Sequence, residues 1–329
     1  MVAVSRFPSV LILVAWMSLL PLLSDAGFAA TGRPADTVVT VAARVPADSR
    51  TAESLGTERR GAGVVIDQGG LVLTIGYLIM EAAEVTVADA GGGPVPAEIV
   101  AYDHETGFGL LRALGPLHSM PARLGSADGL VAGQRLVAAA PGISGPTIVV
   151  GRRSFAGGWE YLLDAAVFTT PPIPNFGGAG LFDADGRLVG IGSLIVGDAA
   201  GDGVGPPGNM FVPIDLLPPI LADLLAFGKS TTTVSPWLGL YPEAANGALV
   251  VARVSPGGPA AAAGIRPGDV ILGIGDEPVR RMEILWRRVR ALGAAGVEVP
   301  LKVLSGGAVR DVILKSRDRR GWLRLDRTY

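Results

Sequence analysis

Two histidines, no cysteine and a glycine-rich loop without a serine set the limits of the chemistry open to this 329-residue chain. The absence of cysteine excludes a thiolate nucleophile, a disulfide framework and a thiolate zinc site. His104 and His118 are the only imidazoles, and imidazole is the usual general base near neutral pH. His104 follows Tyr102 and Asp103, and His118 lies in a loop with Pro116 and Pro121, so both read as solvated turn residues. The loop Ile173-Pro174-Asn175-Phe176-Gly177-Gly178-Ala179-Gly180 carries no serine, and none occurs between Phe155 and Leu188. A serine hydroxyl attacks only when a neighbouring imidazole takes its proton and a carboxylate holds that imidazole. No cofactor and no metal are expected.

The elements that would position these residues are short. Glycine (47) and proline (25) recur between brief apolar runs, and 49% of residues are hydrophobic against 18% charged. This is the pattern of many short strands joined by turns, with ample material for a core. A net charge of -2 argues against nucleic acid as a partner. Strand-like runs follow one another from Thr37 to Val212, and an apolar helix is expected over 218–227, closed by Gly228. The polar stretch 229–235 reads as a linker. Beyond it come further strand-like runs and a helix over 281–292, whose apolar face is expected to be Ile284, Leu285, Val289 and Leu292. Two closing strands meet at Ser305-Gly306-Gly307. At the start of the chain, Arg6, the apolar run Val10–Leu23 and the small residues Ala26 and Ala29 have the layout of a cleavable export signal. That layout implies a periplasmic location, with an uncleaved signal anchor as the alternative route to the membrane.

Three segments resemble trypsin-like serine proteases of the HtrA/Deg type. Gly61-Ala62-Gly63-Val64-Val65-Ile66-Asp67, running on to Leu73-Thr74-Ile75-Gly76-Tyr77-Leu78-Ile79, resembles the segment that carries the family's catalytic histidine, and Tyr77 takes that position. Ala97 to Leu111 is similar to the run that ends on the triad carboxylate, and Gly107 takes its place. Thr169 to Ser193 is similar to the nucleophile segment; its loop is one residue short, so the serine position falls on Phe176 or Gly177. The aromatic rings of Tyr77 and Phe176 are expected to fill the vacated site. Ser144 and Ser193 align away from the nucleophile.

A second resemblance lies downstream. Trp237-Leu238-Gly239-Leu240, with Gly258-Pro259-Ala260-Ala261-Ala262-Ala263-Gly264-Ile265-Arg266-Pro267-Gly268-Asp269-Val270-Ile271, resembles a PDZ domain. The resemblance implies that Leu238, Gly239 and Leu240 form a carboxylate-binding loop and that Ile284, Leu285 and Trp286 lie on the helix side of a peptide groove. Pro242 has no N–H to offer an incoming strand, which would shorten or weaken peptide binding.

Together the resemblances imply a mainly β chain: a chymotrypsin-like double β-barrel followed by a small α/β PDZ domain. The expected boundaries are a signal peptide over 1–29, a protease-like domain over 36–228, a PDZ domain over 236–316 and a solvated Arg-rich tail over 317–329. The altered triad positions imply a chain that is not an enzyme but a catalytically inactive periplasmic binding or scaffold factor. Its expected partners are peptide C-termini or proteins, among them an active HtrA-type protease. The alternative is a serine endopeptidase of envelope protein quality control with an unrecognised catalytic arrangement.

Overall fold

The computed structural model describes residues 33–325, so the export signal and its cleavage site lie outside the described residues. The architecture is mainly β, as the resemblance implied: two closed six-stranded antiparallel barrels and a smaller sheet with helices. The first barrel is built from β1 (Val38–Arg44), β2 (Glu58–Val65), β3 (Leu71–Ile75), β4 (Glu84–Ala88), β5 (Val95–Tyr102) and β6 (Phe108–Ala113), closed in the order β1-β2-β3-β6-β5-β4. A short helix α1 (Ala52–Leu55) crosses between its first two strands. The second barrel comprises β7 (Arg135–Ala140), β8 (Ile143–Gly157), β9 (Tyr161–Thr170), β10 (Gly180–Phe182), β11 (Leu188–Val196) and β12 (Gly208–Pro213), in the order β10-β11-β12-β9-β8-β7.

Helix α2 (Pro218–Phe227) follows the barrels. Proline at its first positions loses no helical hydrogen bond there, and Gly228 closes it in the left-handed conformation at φ 65°. The last sheet runs β13 (Leu240–Ala245), β14 (Ala248–Val254), β15 (Val270–Ile274), β17 (Glu298–Ser305), β18 (Ala308–Lys315), with β16 (Glu277–Pro278) paired to β15. Helices α3 (Pro259–Ala262) and α4 (Met282–Ala291) accompany it. The buried face of α4 is Leu285, Trp286 and Val289. Leu292, expected on that face, is 39% exposed, because the helix ends at Ala291 and the chain turns away.

One hydrophobic cluster runs through both barrels, and a second fills the C-terminal module. Leu162, from the second barrel's β9, belongs to the cluster of the C-terminal module, so the domains share apolar contact. Among the described residues of the tail, 317–325, several are packed and not solvated. Trp322 packs on Trp237 with ring centroids 4.9 Å apart, and its indole N–H donates to Pro256 O at 3.0 Å. Arg320 donates to Tyr102 O and Gly228 O at 3.0 and 3.3 Å, and the Arg324 N–H donates to Glu81 at 2.8 Å. Sequence reading missed this because an Arg-rich run looks solvated until carbonyls and a tryptophan are found facing it.

The barrels are stitched where the 173–180 loop meets β2. Ala62 N–H donates to Gly177 O at 2.7 Å, and Gly178 N–H donates to Gly192 O at 2.8 Å. Gly178 has φ +79°, and a Cβ there would lie 1.8 Å from Ala62 O. Replacing Gly178 by alanine is therefore expected to destabilise the chain by roughly 2 kcal/mol or more. The measurement is the urea midpoint; an unchanged midpoint would mean that this seam yields freely.

Candidate functional site

The positions aligned with a catalytic triad converge on one cleft between the barrels. Tyr77 sits in the 3-10 turn Gly76–Leu78 that follows β3, Gly107 in the turn between β5 and β6, and Phe176 in the loop before β10. All three line a cleft of about 390 Å³. Gly177 abuts Tyr77: a Cβ on Gly177 would lie 2.6 Å from the Tyr77 hydroxyl. That hydroxyl donates to Ser193 O at 2.9 Å, and burial pushes the phenol well above its ordinary value, so it stays a neutral donor. Gly107 has φ +82°, and a Cβ there would come within 2.9 Å of the Tyr161 hydroxyl, so a carboxylate side chain at this position would collide with that ring.

The neighbouring titratable groups are committed elsewhere. Asp103 is buried and accepts from the Thr106 N–H at 2.8 Å and hydroxyl at 2.7 Å. His104 lines the cleft but is not the solvated turn residue expected from sequence. Its ring meets the Tyr102 hydroxyl at 2.8 Å and the Arg319 guanidinium at 3.0 Å. Burial first, and then the charges of Arg319 and Arg290, hold its pKa well below the ordinary histidine value, so the imidazole is neutral at pH 7. The ring of His118 is exposed, with Nδ1 3.5 Å from Asp89. No cluster able to hold a metal ion occurs among the described residues.

The rings of Tyr77 and Phe176 do not fill the site. Tyr77 takes the space beside Gly177, yet the cleft beside it stays open. Its walls are apolar and aromatic: Ile75, Met80, Leu194, Trp159 and Tyr161 line it, with Tyr241 of the C-terminal module. Trp159 and Tyr161 stack at 5.9 Å, and Phe155 lies 5.9 Å from Trp159. This aromatic group comes from the β8–β9 hairpin, which sequence reading passed over as ordinary strand.

The second site expected from sequence is the Leu238-Gly239-Leu240 loop, and there the structure places an acid that no motif announced. The Leu238 N–H donates to one carboxylate oxygen of Glu160 at 2.8 Å; the Gly239 and Leu240 N–H groups donate to the other at 2.6 and 3.0 Å. Glu160 lies at the β8–β9 turn with φ 66° and is 7% exposed. Burial pushes its carboxyl up to about 7, against the opposing pull of the three amides and the Arg319 guanidinium. Beside it, the Trp286 indole N–H donates to Gly157 O at 2.8 Å. Leu285 is sealed in the module's core and Ile284 packs against that core, so of the three expected helix residues it is Trp286 that bonds to the hairpin. Pro242 lies in β13, next to a register shift, and its carbonyl stands 2.5 Å from where a Cβ of Gly158 would be.

The raised Glu160 value carries a sign. From the ordinary 4.5 up to about 7, the packed carboxyl holds a proton that a solvated one has released. Packing is thus favoured in acid and weakened as pH rises through about 7. Arg319 faces Glu160, and His104, which contacts Arg319, stays neutral near pH 7. The stability lost between about pH 6 and about pH 8 is expected to be about 1 kcal/mol larger in the native chain than in Glu160→Gln. Urea titrations at the two pH values read this difference, and equal losses would contradict it.

Comparison with known proteins gives these sites a setting. A profile described as "Trypsin-like peptidase domain" matches residues 61–191, and one described as "PDZ domain" matches residues 250–304. The chain is 30% identical over 284 residues to a "Probable periplasmic serine endoprotease DegP-like" of Pseudomonas fluorescens, covering 80% of this chain and 56% of that protein. It is 27% identical over 243 residues to "Serine endoprotease DegS" of Haemophilus influenzae, covering 68% and 67% of the two chains. It is 28% identical over 307 residues to "Serine protease PepD" of Mycobacterium tuberculosis, covering 85% and 66%. The chain thus spans little more than half the length of its DegP-like relative. Among solved structures, "HtrA-type protease AlgW with tripeptide" shares the fold at a TM-score of 0.52 and 22% identity, covering 87% of this chain and 94% of that one. These relatives overturn the expectation that the chain is not an enzyme, since they carry the names of serine proteases and endoproteases. The physical reason is that Tyr77, Gly107 and the 173–180 loop bear on one nucleophile–base–carboxylate arrangement and not on hydrolysis by other groups. Two domain matches in one chain thus show a trypsin-like peptidase domain followed by a PDZ domain, in a chain similar to HtrA/DegP-type serine proteases.

Proposed function

We propose that this chain captures polypeptides in the bacterial envelope, taking apolar segments in the inter-barrel cleft and C-termini on the PDZ module, as a peptide-binding or scaffold factor. The observation that carries the reading is the cleft itself: it is open, lined by Tyr77, Phe176, Leu194, Trp159 and Tyr161, and walled by both barrels and the PDZ module. Such a surface gives side chains of an unfolded segment apolar area to bury, whereas a folded protein presents little. The periplasmic setting comes from the names of the DegP-like relatives and from the signal-like start of the sequence. No helix among the described residues is long and apolar enough to cross a membrane. Partner proteins of the same family fit the reading, since their exposed C-termini are PDZ ligands by class.

The names of the relatives favour a second reading, that captured chains are also cut. The attacking group then comes from outside residues 173–180, where no hydroxyl exists. Among the cleft residues Thr51, Ser54 and Ser193 carry aliphatic hydroxyls. Labelling with a fluorophosphonate probe, with the modified residue located by mass spectrometry, tests this reading. Absence of both labelling and casein cleavage would remove it.

For capture, fluorescently labelled unfolded casein is expected to bind the native chain. Phe176→Asp and Leu194→Asp are each expected to weaken binding roughly tenfold, about 1.4 kcal/mol. Fluorescence anisotropy measures it, and undiminished affinity in both variants would show that the cleft is not where the polypeptide lies.

A further inference from the structure

The Leu238–Leu240 amides are not waiting for a ligand. Three consecutive backbone N–H groups of the PDZ loop already point at one carboxylate, and that carboxylate belongs to the barrel. In a peptide-binding PDZ domain the loop amides hold a terminal carboxylate while the rest of the peptide lies between the second strand and the helix. The same three elements are engaged here by the turn that joins β8 to β9. Glu160 meets the loop, Gly157 O accepts from Trp286 on α4, and Gly158 lies against Pro242 O of β13. Two ion pairs fasten the flanks: Arg287 to Asp164 at 2.7 Å and Arg290 to Glu105 at 3.1 Å.

We infer that the β8–β9 turn occupies the PDZ ligand groove in cis, with the Glu160 carboxylate standing in for a peptide's C-terminal carboxylate, so that an incoming C-terminus binds only by displacing it. The inference rests on the reading of the PDZ module as a site for peptide C-termini, and it names the residue that regulates that site. A free peptide end and Glu160 compete for the same donors, since three N–H groups on one turn accommodate one carboxylate. The chemistry selects the ligand: an acyclic carboxylate at the end of a chain whose last side chain is apolar, because Leu238 and Leu240 flank the loop and are buried. A terminal carboxamide cannot replace it, since its N–H₂ would face donors.

The test uses the full chain and two fluorescein-labelled decapeptides ending in valine, one with a free carboxylate and one amidated. Glu160→Gly and Glu160→Asn both suit the left-handed backbone at this position, and both remove the glutamate side chain that reaches the loop amides. Both variants are expected to bind the free-carboxylate peptide roughly tenfold or more tightly than the native chain, with no gain for the amidated peptide. Circular dichroism melting confirms that each variant is folded; should Glu160→Gly unfold, Glu160→Asn alone carries the comparison. Equal affinity of native and variant chains for the free-carboxylate peptide would overturn the cis-occupied groove while leaving the PDZ reading intact. Absence of binding by every form would overturn the PDZ reading on which it stands. Equal gains for carboxylate and carboxamide peptides would also overturn it, because the loop would then not be reading a carboxylate.

Discussion

A carboxylate removed from water must find donors for its lone pairs, and Glu160 finds three of them on a single loop of a different domain. Leaving those oxygens buried without partners would be costly in either protonation state, so the three amides tie the hairpin and the PDZ module to one relative position. The remaining contacts between them follow from that placement: the Trp286 indole on Gly157 O, the two arginine ion pairs from α4, and Leu162 reaching into the PDZ core. Neighbouring residues of the turn face opposite ways, so while Glu160 looks into the PDZ module, Trp159 and Tyr161 look into the cleft. One hairpin is therefore a wall of two sites. The surface ion pairs add little by themselves, as exposed pairs usually do; the buried carboxylate sets the register in which they meet.

At the cleft the organising constraint is steric. Gly177 and Gly178 let the 173–180 loop pass against β2 with carbonyl and amide in direct contact, and Tyr77 takes up the room a side chain on Gly177 would need. Gly107 likewise yields its space to Tyr161. These replacements are mutually consistent, each small residue accommodating a large ring. Beside them lies a largely apolar hollow, lined by Ile75, Met80, Trp159, Tyr161 and Leu194.

The fold was legible almost throughout, because barrel strands and PDZ motifs are local patterns: alternation, turn glycines and the Gly258–Ile271 signature need only a few neighbouring residues. That Tyr77, Gly107 and the 173–180 loop meet in one cleft could also be read from the three segments that carry the resemblance, although the shortened loop left Phe176 and Gly177 as alternatives. Glu160 could not. Its meaning depends on amides some eighty positions away, and a glutamate after Gly157-Gly158-Trp159 looks like any residue of a hairpin turn. His104 was misjudged for a related reason: the Arg319 that covers it arrives from the far end of the chain. The same distance hid the packing of Trp322 on Trp237.

That returning segment has a consequence for how the protein is made. Residues 317–325 lie after both domains in the chain, yet they clasp the first barrel at Tyr102, Glu81 and Asp48 and hold Arg319 beside Glu160. A polypeptide emerging from its N-terminus forms its barrels before this clasp exists. During synthesis, then, both barrels are complete in sequence before the segment that ties the PDZ module to the first barrel has been made.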